Sequence, residues 1–390
     1  MINRSTTIII TIVVGLASFM TSCTGAETQL ATDPPTSLPQ STSTSIPSIP
    51  TSTRAEDIEP TALPTPTAEP IPFLPAGMSA ITPDNAANLQ RITTLAVTGV
   101  SVVAFSPDGR LLATGTFGEG AVILWDLTTG ELVHTLKGHV NPRVLYYLAF
   151  SPDGRRLISG ALGWEESNDN MILWDVISGE RVRTYDGHPG ALSHDWRSLA
   201  ISTTGGREGD TLTFFNFDLG DEKYAIATET EILGVTFSPD DLLLATRLRE
   251  TWRSPIVLWD LKTLREVRWL YDWHFFTFSP NGNSIAAIID DGGERDIGEL
   301  KIFNMEDWSD NQVLAGGADA LWYLPPTFSP EGRILTASFS SHLRVWDTEN
   351  WEELNRLTIP EKSGTAFSPD GRILVTFSHN HAVQLWGIVP

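Results

Sequence analysis

Two groups of side chains in the 390-residue sequence have the types and spacing that a metal site would need. His379 and His381 alternate in a strand-like segment, an arrangement that puts two imidazoles on one face. A second segment carries enough carboxylates to gather a hard cation, namely Asp290, Asp291, Glu294, Asp296 and Glu299. No third ligand stands beside the histidine pair, and a solvated charged loop accounts for the acidic segment. We therefore predict no metal ion and no cofactor.

The remaining chemistry of the sequence favours recognition over catalysis. The sequence has no His-Glu-x-x-His motif, no Gly-x-Ser-x-Gly elbow and no Gly-Lys-Ser/Thr phosphate loop, so we predict that the chain is not an enzyme. Aromatic and arginine side chains, which often anchor recognition surfaces, gather in segments of variable length. The candidate partner-binding residues are Trp164, Glu165, Arg249, Trp252, Arg253, Trp273, His274, Trp322 and Tyr323. For each of them, capping of a hydrophobic core is an equal alternative.

The charge balance limits the kinds of partner. The chain has 26 Lys and Arg residues against 48 Asp and Glu residues, a formal net charge of −22. Nucleic-acid binding needs a basic face, which so few cations cannot easily supply, so we predict no nucleic-acid partner. A single cysteine, Cys23, excludes an intrachain disulfide and a zinc site made of several thiolates.

The N-terminus has the form of an export signal. Arg4 is followed by an uncharged apolar run of about 13 residues, which is too short to span a membrane. The next tetrapeptide, Met-Thr-Ser-Cys at 20–23, resembles the lipobox of bacterial lipoproteins. That resemblance implies removal of residues 1–22, acylation of Cys23 and a protein held at the outer side of the bacterial cell membrane by its lipid anchor only. The alternative is an ordinary secretory signal in which Cys23 has no role.

A linker separates this signal from the folded part of the chain. Of the 40 residues at 31–70, 24 are Ser, Thr or Pro and none is aromatic. Such a segment cannot bury enough apolar area to offset its ordering entropy. We predict that residues 23–80 form a disordered tether, with a glycosylated stalk or recognition segment as the alternative, and that residues 81–390 form the domain.

The domain is predicted to be a repeat array. One turn phrase recurs at an average interval of about 44 residues and begins at Phe105, Phe150, Phe237, Phe278, Phe328 and Phe367. A weaker copy at 201–205 would complete seven. In the first repeat, four short strand-like runs are separated by tight turns, with Ser106 to Gly109 as the first turn. Four strands cannot bury both their faces alone, and seven such units stacked radially can, which predicts an all-β, seven-bladed propeller.

The third strand of four repeats ends in Trp-Asp, at 125–126, 174–175, 259–260 and 346–347, and Gly-His pairs occur at 138–139 and 187–188. On these residues the region from about 85 to 390 resembles the WD40 repeat family. The resemblance implies a non-enzymatic propeller that binds proteins or peptides. Phe215-Asn216 and Phe303-Asn304 replace Trp-Asp, so we expect blades three and five to be the irregular ones.

The resemblance also implies how the ring closes. A strand-like segment, about 88–96, precedes the first full repeat, and we expect it to pair with the last blade. Such closure removes free sheet edges and favours a monomer. The variable connections should share one face of the propeller, which would carry the candidate residues, the segment 247–253 and His194-Asp195-Trp196.

Three functions remain open on this basis. The first is a membrane-anchored scaffold that binds a protein or peptide on the variable face. The second is a sensor of a small molecule or glycan, which the tryptophans permit. The third is a metal-dependent hydrolase or lactonase-like propeller, which would need carboxylates and histidines at the central channel.

Overall fold

The computed structural model describes residues 73–140, 142–163, 170–187, 190–204, 210–217, 222–249, 255–271, 273–290, 298–315, 324–339, 341–360 and 363–390. Within these ranges the chain forms seven antiparallel four-stranded sheets and one short 3-10 turn at Ala86–Asn88. Apolar clusters join each sheet to its neighbours around a closed ring. The fold is therefore an all-β, seven-bladed propeller, as the sequence predicts. No helix among these residues is long and apolar enough to cross a membrane.

Strand β1 (Gln90–Leu95) precedes the first blade. Blade one holds β2 (Val100–Phe105), β3 (Leu111–Thr116), β4 (Ala121–Asp126) and β5 (Glu131–Lys137). Blade two holds β6 (Pro142–Phe150), β7 (Arg156–Gly163), β8 (Asn170–Asp175) and β9 (Arg181–Asp186). Blade three holds β10 (Gly190–Leu192), β11 (Ser198–Thr204), β12 (Asp210–Asn216) and β13 (Glu222–Ala227).

Blade four holds β14 (Ile232–Phe237), β15 (Leu243–Leu248), β16 (Ile256–Asp260) and β17 (Arg265–Leu270). Blade five holds β18 (Trp273–Phe278), β19 (Ser284–Asp290), β20 (Gly298–Asn304) and β21 (Asp310–Ala315). Blade six holds β22 (Thr327–Phe328), β23 (Ile334–Phe339), β24 (His342–Asp347) and β25 (Glu353–Thr358). Blade seven holds β26 (Gly364–Phe367), β27 (Leu374–Ser378) and β28 (His381–Gly387), with β1 as its fourth strand.

Burial falls from the centre of the ring outward. The first strands of neighbouring blades contact one another, which places them at the centre. In blade one, β2 is buried along nearly its whole length and β5 is mostly exposed. Inner strands read as nearly continuous apolar runs because both faces of each inner strand are covered by neighbouring blades.

The turn between the first and second strands of a blade is held by its Ser and Asp side chains. In blade one, Ser106 Oγ donates to Asp108 Oδ1 at 2.6 Å and accepts from the amide of Leu111 at 2.8 Å. Asp108 Oδ1 also accepts from the amide of Arg110 at 3.0 Å, and Gly109 has a φ of +70°. The structural role that the sequence predicts for Ser and Asp is confirmed here.

In blade three this turn lies nine residues earlier than the sequence suggested. The segment 201–205 was the expected copy, and its first four residues lie in β11. The turn is instead at Ser193, whose Oγ donates to Asp195 at 2.7 Å and accepts from the amide of Ser198 at 2.9 Å. Trp196 takes the glycine position with a φ of +59°. The phrase was missed because an aromatic residue occupies a backbone conformation that usually favours glycine.

The two ends of the propeller differ in the connections that they carry. Leu111 pairs with Asp126, which pairs with Glu131, so the first-to-second and third-to-fourth strand turns share one end. We call this end the turn face. The second-to-third strand loops and the blade-to-blade connections lie at the opposite end, which we call the loop face.

Strand β1 closes the ring from the N-terminal side. It pairs antiparallel with β28, with Leu95 opposite Val383 and Gln90 opposite Gly387. The segment before it lies on the turn face, where the amide of Phe73 donates to the carbonyl of Thr128 at 3.1 Å. The ends of the described domain are thus joined by backbone hydrogen bonds.

The shortest inner strands are in blades three and six, where β10 has three residues and β22 has two. Blade five, expected to be irregular, has four strands of six or seven residues. Its Phe303 stands where other blades have Trp and packs with Trp273 at a centroid distance of 4.6 Å. Another aromatic ring thus fills the same space, while two register shifts interrupt the pairing of β20 with β21.

Candidate functional site

The candidate residues are predicted to lie on the loop face, and the structure describes only part of that set. Trp164, Glu165, Trp252, Arg253, Trp322 and Tyr323 lie outside the described residues. Cys23 also lies outside them, so the lipid anchor stays a prediction. For His274 only the backbone is described, in β18 at an irregularity between Trp273 and Phe275.

Arg249 lies on the loop face immediately after β15. Its Nε is 2.8 Å from Glu231 Oε2, and its amide donates to the Glu231 carbonyl at 2.8 Å. The two side chains are 55% and 37% exposed. An ion pair this exposed contributes at most about 1 kcal/mol, so a partner can replace Glu231 at little cost.

Trp273 is 6% exposed and lies in the core between blades four and five. Its ring packs against Phe303 and also lies 6.5 Å from Phe276. The sequence left binding and core capping open for this residue, and its burial favours capping. A role in binding would need the side chain to leave the core.

Arg247 shows where a loop predicted from the sequence is in fact strand. The segment 247–253 was expected on the loop face as a connection, whereas Arg247 and Leu248 are the last residues of β15. Arg247 is opposite Gly234 on one side and Ile256 on the other. Its guanidinium points inward, with Cζ 5.6 Å from the centroid of Phe275. A charged residue inside the apolar run of 243–248 was the sequence signal for it.

His194, Asp195 and Trp196 were expected on the loop face and lie on the turn face. They form the inner turn of blade three, where Trp196 is 8% exposed and packs edge-on against Phe217 at 5.1 Å. His194 Nδ1 is 2.9 Å from Asp241 Oδ1 of blade four. The misplacement follows directly from the turn that the sequence reading assigned to 201–205.

Tryptophan side chains tie the second and third strands together below the loop face. The indole nitrogen of Trp174 donates to Ser159 Oγ at 2.8 Å, and that of Trp259 donates to Thr246 Oγ1 at 2.8 Å. In blade two, the Ser159 hydroxyl also lies 2.7 Å from His139 Nε2. Burial lowers the pKa of His139 to about 4, although a hydrogen bond with Asn170 acts in the opposite direction. This histidine is therefore neutral at pH 7.

The metal candidates do not form a site within the described residues. No group of three or more His, Cys, Asp or Glu side chains there could hold an ion. His379 packs edge-on against Phe117 at 4.5 Å. Most of the acidic segment at 290–299 lies outside the described residues.

The fold and its connections define a seven-bladed β-propeller with two unlike faces. Within it, residues 90–126 and 130–175 match the family model described as WD domain, G-beta repeat. These two segments are therefore similar to WD40 repeats. The first match begins with the outer strand that closes blade seven, and the second begins at the turn before β5, so each repeat starts one strand before its blade.

The chain is also similar to a segment of a much longer protein. The chain is 27% identical over 114 residues to telomerase protein component 1 of Rattus norvegicus. The matched segment covers 29% of this chain and 4% of the relative. The chain thus spans a small fraction of that protein's length.

Proposed function

We propose that this propeller is a non-enzymatic scaffold that binds a protein or peptide partner on its loop face. One observation carries the proposal, the contrast between the two faces. Five residues separate the first and second strands in six of the seven blades, whereas two to seven residues separate the second and third strands. The turn face is uniform because its turns are built by one hydrogen-bond pattern, and the variable connections are free to specify a partner.

The comparisons and the charge support this class of function. WD40 propellers commonly mediate protein–protein interaction, and telomerase protein component 1 is by its name a protein component of telomerase. The formal charge of −22 favours neutral or basic partner surfaces and disfavours nucleic acid.

The proposal includes a membrane anchor on Cys23, outside the cytoplasm. Its support is the sequence alone, in which the one cysteine follows an apolar run of the length of a signal peptide. Several acyl chains on one cysteine would hold the protein firmly, since each buried methylene contributes about 0.8 kcal/mol.

The test is partner capture from solubilised native membranes by three forms of the full chain. The first is the wild type. The second carries Trp164→Ala, Trp252→Ala and Trp322→Ala on the predicted loop face. The third is a matched control with Ile177→Ala and Leu242→Ala, two apolar residues of the turn face that are 76% and 63% exposed.

We expect the wild type and the turn-face control to capture the same partner and the loop-face variant to lose it, with all three melting as folded proteins. Loss of the partner in the turn-face control alone would place the binding site on the turn face and contradict the proposal. Capture of no partner by any form would contradict the scaffold function.

A further inference from the structure

Arg247 is a half-buried cation for which no described residue supplies an anionic partner. It is the fifth residue of β15, and its Nε is buried with no hydrogen-bond partner among the described residues. No ion pair within the described ranges includes it, although its neighbour Arg249 pairs with Glu231. Burial lowers the pKa of the Arg247 guanidinium, yet an arginine of this kind stays charged at pH 7.

The blade makes room for this side chain. At the equivalent register position, blade one has Gly115 opposite Val102 and blade two has Gly160 opposite Tyr147. In those blades the first strand supplies the larger residue. Blade four reverses the arrangement, with Gly234 on the first strand and Arg247 on the second.

A second arginine shows what is missing at Arg247. Arg344 of blade six also lies over aromatic rings, with Cζ 5.1 Å from Phe339 and 5.0 Å from Trp346. Its Nε donates to Glu353 Oε2 at 2.7 Å, and its Nη2 contacts the same oxygen. Arg247 has the aromatic contact with Phe275, and no described carboxylate takes the place that Glu353 takes in blade six.

A half-buried charge whose Nε has no hydrogen-bond partner opposes folding, so its presence points to a ligand that supplies the counter-charge. The free Nε edge of a guanidinium matches a planar carboxylate, which can accept two parallel hydrogen bonds. A single arginine neutralises one negative charge, and the formal charge of −22 penalises anions of higher charge. A monoanionic carboxylate therefore fits better than a phosphate.

We propose that Arg247 binds a carboxylate that enters from the loop face between blades four and five. The position allows this, because Arg247 is followed by one strand residue before the loop-face connection begins and Phe275 is the third residue of β18. This inference rests on the proposed function and specifies one group of the partner, an acidic side chain that binds Arg247. A free small carboxylic acid offers the same group and is distinguished by the test.

The test is isothermal titration of the full chain with three probes: sodium acetate, the blocked peptide acetyl-Ala-Glu-Ala-amide and its neutral match acetyl-Ala-Gln-Ala-amide. The proteins are wild type, Arg247→Gln and the control Arg197→Gln, which changes an arginine of the turn face that is 80% exposed. We expect wild type and Arg197→Gln to prefer the Glu peptide over the Gln peptide by about tenfold or more, because a charge-assisted hydrogen bond is lost with Gln. Arg247→Gln should show no preference.

Acetate binding without Glu-peptide binding would assign the site to a small acid and overturn the partner side chain as its source. Absence of binding by both carboxylates, or equal preference in Arg247→Gln, would overturn the site itself. Partner capture that survives Arg247→Gln would leave the scaffold function standing and contradict only this inference.

Stability separates a ligand site from a structural arginine. Arg247→Met should melt at the same temperature as wild type or higher in the absence of carboxylate, because the change removes an unpaired buried charge. Arg344→Met should melt lower, because it removes the more buried of the two arginines that pair with Glu353. A lower melting temperature for Arg247→Met would show that the arginine supports the fold and would overturn its role as a binding group.

Discussion

Acidification should weaken the propeller through one buried histidine. In blade two, Trp174 donates to the Ser159 hydroxyl, which lies 2.7 Å from His139 Nε2, and His139 Nδ1 lies 2.5 Å from Asn170 Oδ1. Because the hydroxyl accepts from the indole, it has its proton to give to Nε2. The neutral imidazole with its proton on Nδ1 fits this network, and a proton on Nε2 would reverse the hydrogen bond with Ser159.

The magnitude follows from the pKa of about 4 in the folded chain, against an ordinary value of 6.5. Below pH 6.5 the unfolded chain takes up a proton that the folded chain rejects until the pH nears 4, so unfolding becomes more favourable as the pH falls through this window. Each pKa unit is worth about 1.4 kcal/mol, which gives about 3 kcal/mol in full and about 2 kcal/mol between pH 7 and pH 5. His139 is 8% exposed, so solvent screens this effect little.

The carboxylates that also titrate act at lower pH. Burial opposes the shift, but hydrogen bonds from Arg344 and Arg356 lower the pKa of Glu353 below its ordinary 4.5. A carboxylate with a lowered pKa loses its contribution only as the pH falls below the ordinary value. Measurements at pH 5 and above therefore isolate the histidine.

The assay is equilibrium urea unfolding at pH 7 and pH 5 of wild type, His139→Gln and His381→Gln. Gln at 139 can still bond to Ser159 and does not titrate, and His381 is an exposed histidine on β28 that serves as the matched control. We expect wild type and the control to lose about 2 kcal/mol more than His139→Gln between the two pH values. The same loss in all three proteins would refute the assignment of the pH dependence to His139.

Three further changes test the closure, a turn and the anchor. Deletion of 89–95 removes β1 and leaves β28 without its outer partner strand, so the domain should lose its cooperative thermal unfolding. Deletion of 31–70 should leave the melting temperature unchanged. Cooperative unfolding that survives the first deletion would contradict the closure of the ring by β1. Gly130→Ala should lower the free energy of unfolding in urea by about 1 to 2 kcal/mol, because Gly130 has a φ of +75° and the new Cβ would lie 2.2 Å from the Phe73 ring. Gly118→Ala is the control, because Gly118 also has a positive φ but has open space around it. The loss in Gly118→Ala therefore measures the backbone part alone. Cys23→Ser should move the protein from the membrane to the soluble fraction on cell fractionation, and retention in the membrane would refute lipidation.

Most of the fold could be predicted from local sequence patterns, because each blade repeats the same order of short strands and tight turns. The turn phrase at Ser106 combines a Pro, an Asp and a Gly whose backbone preferences agree, so the sequence alone identifies the turn. The segment at 89–95 resembles an outer strand and pairs as one in the structure. The inner turn of blade three was not predicted, because Trp196 adopts the backbone conformation that the pattern assigns to glycine.

The candidate site could be predicted less well, because it depends on contacts between blades. Trp273 and Trp322 are alike in the sequence, and only packing against Phe303 places the first in a core. The sequence predicted Arg247 to lie in a loop, whereas Arg247 and Leu248 are the last two residues of β15. The Arg247 side chain contacts Phe275, which lies 28 residues further along the chain on the next blade, so this contact could not be predicted from local sequence.

The sequence by itself determined the number of blades, the turns that link their strands and the acidic charge that selects among partners. These properties are set by residue types at short spacing, where backbone preferences and hydrophobic periodicity act directly. Only the tertiary structure decided which side chains are buried and which charges lack a counter-charge, as at Trp273 and Arg247. Burial and pairing depend on residues that are brought together by the packing of one blade on the next, and no local pattern specifies that distance.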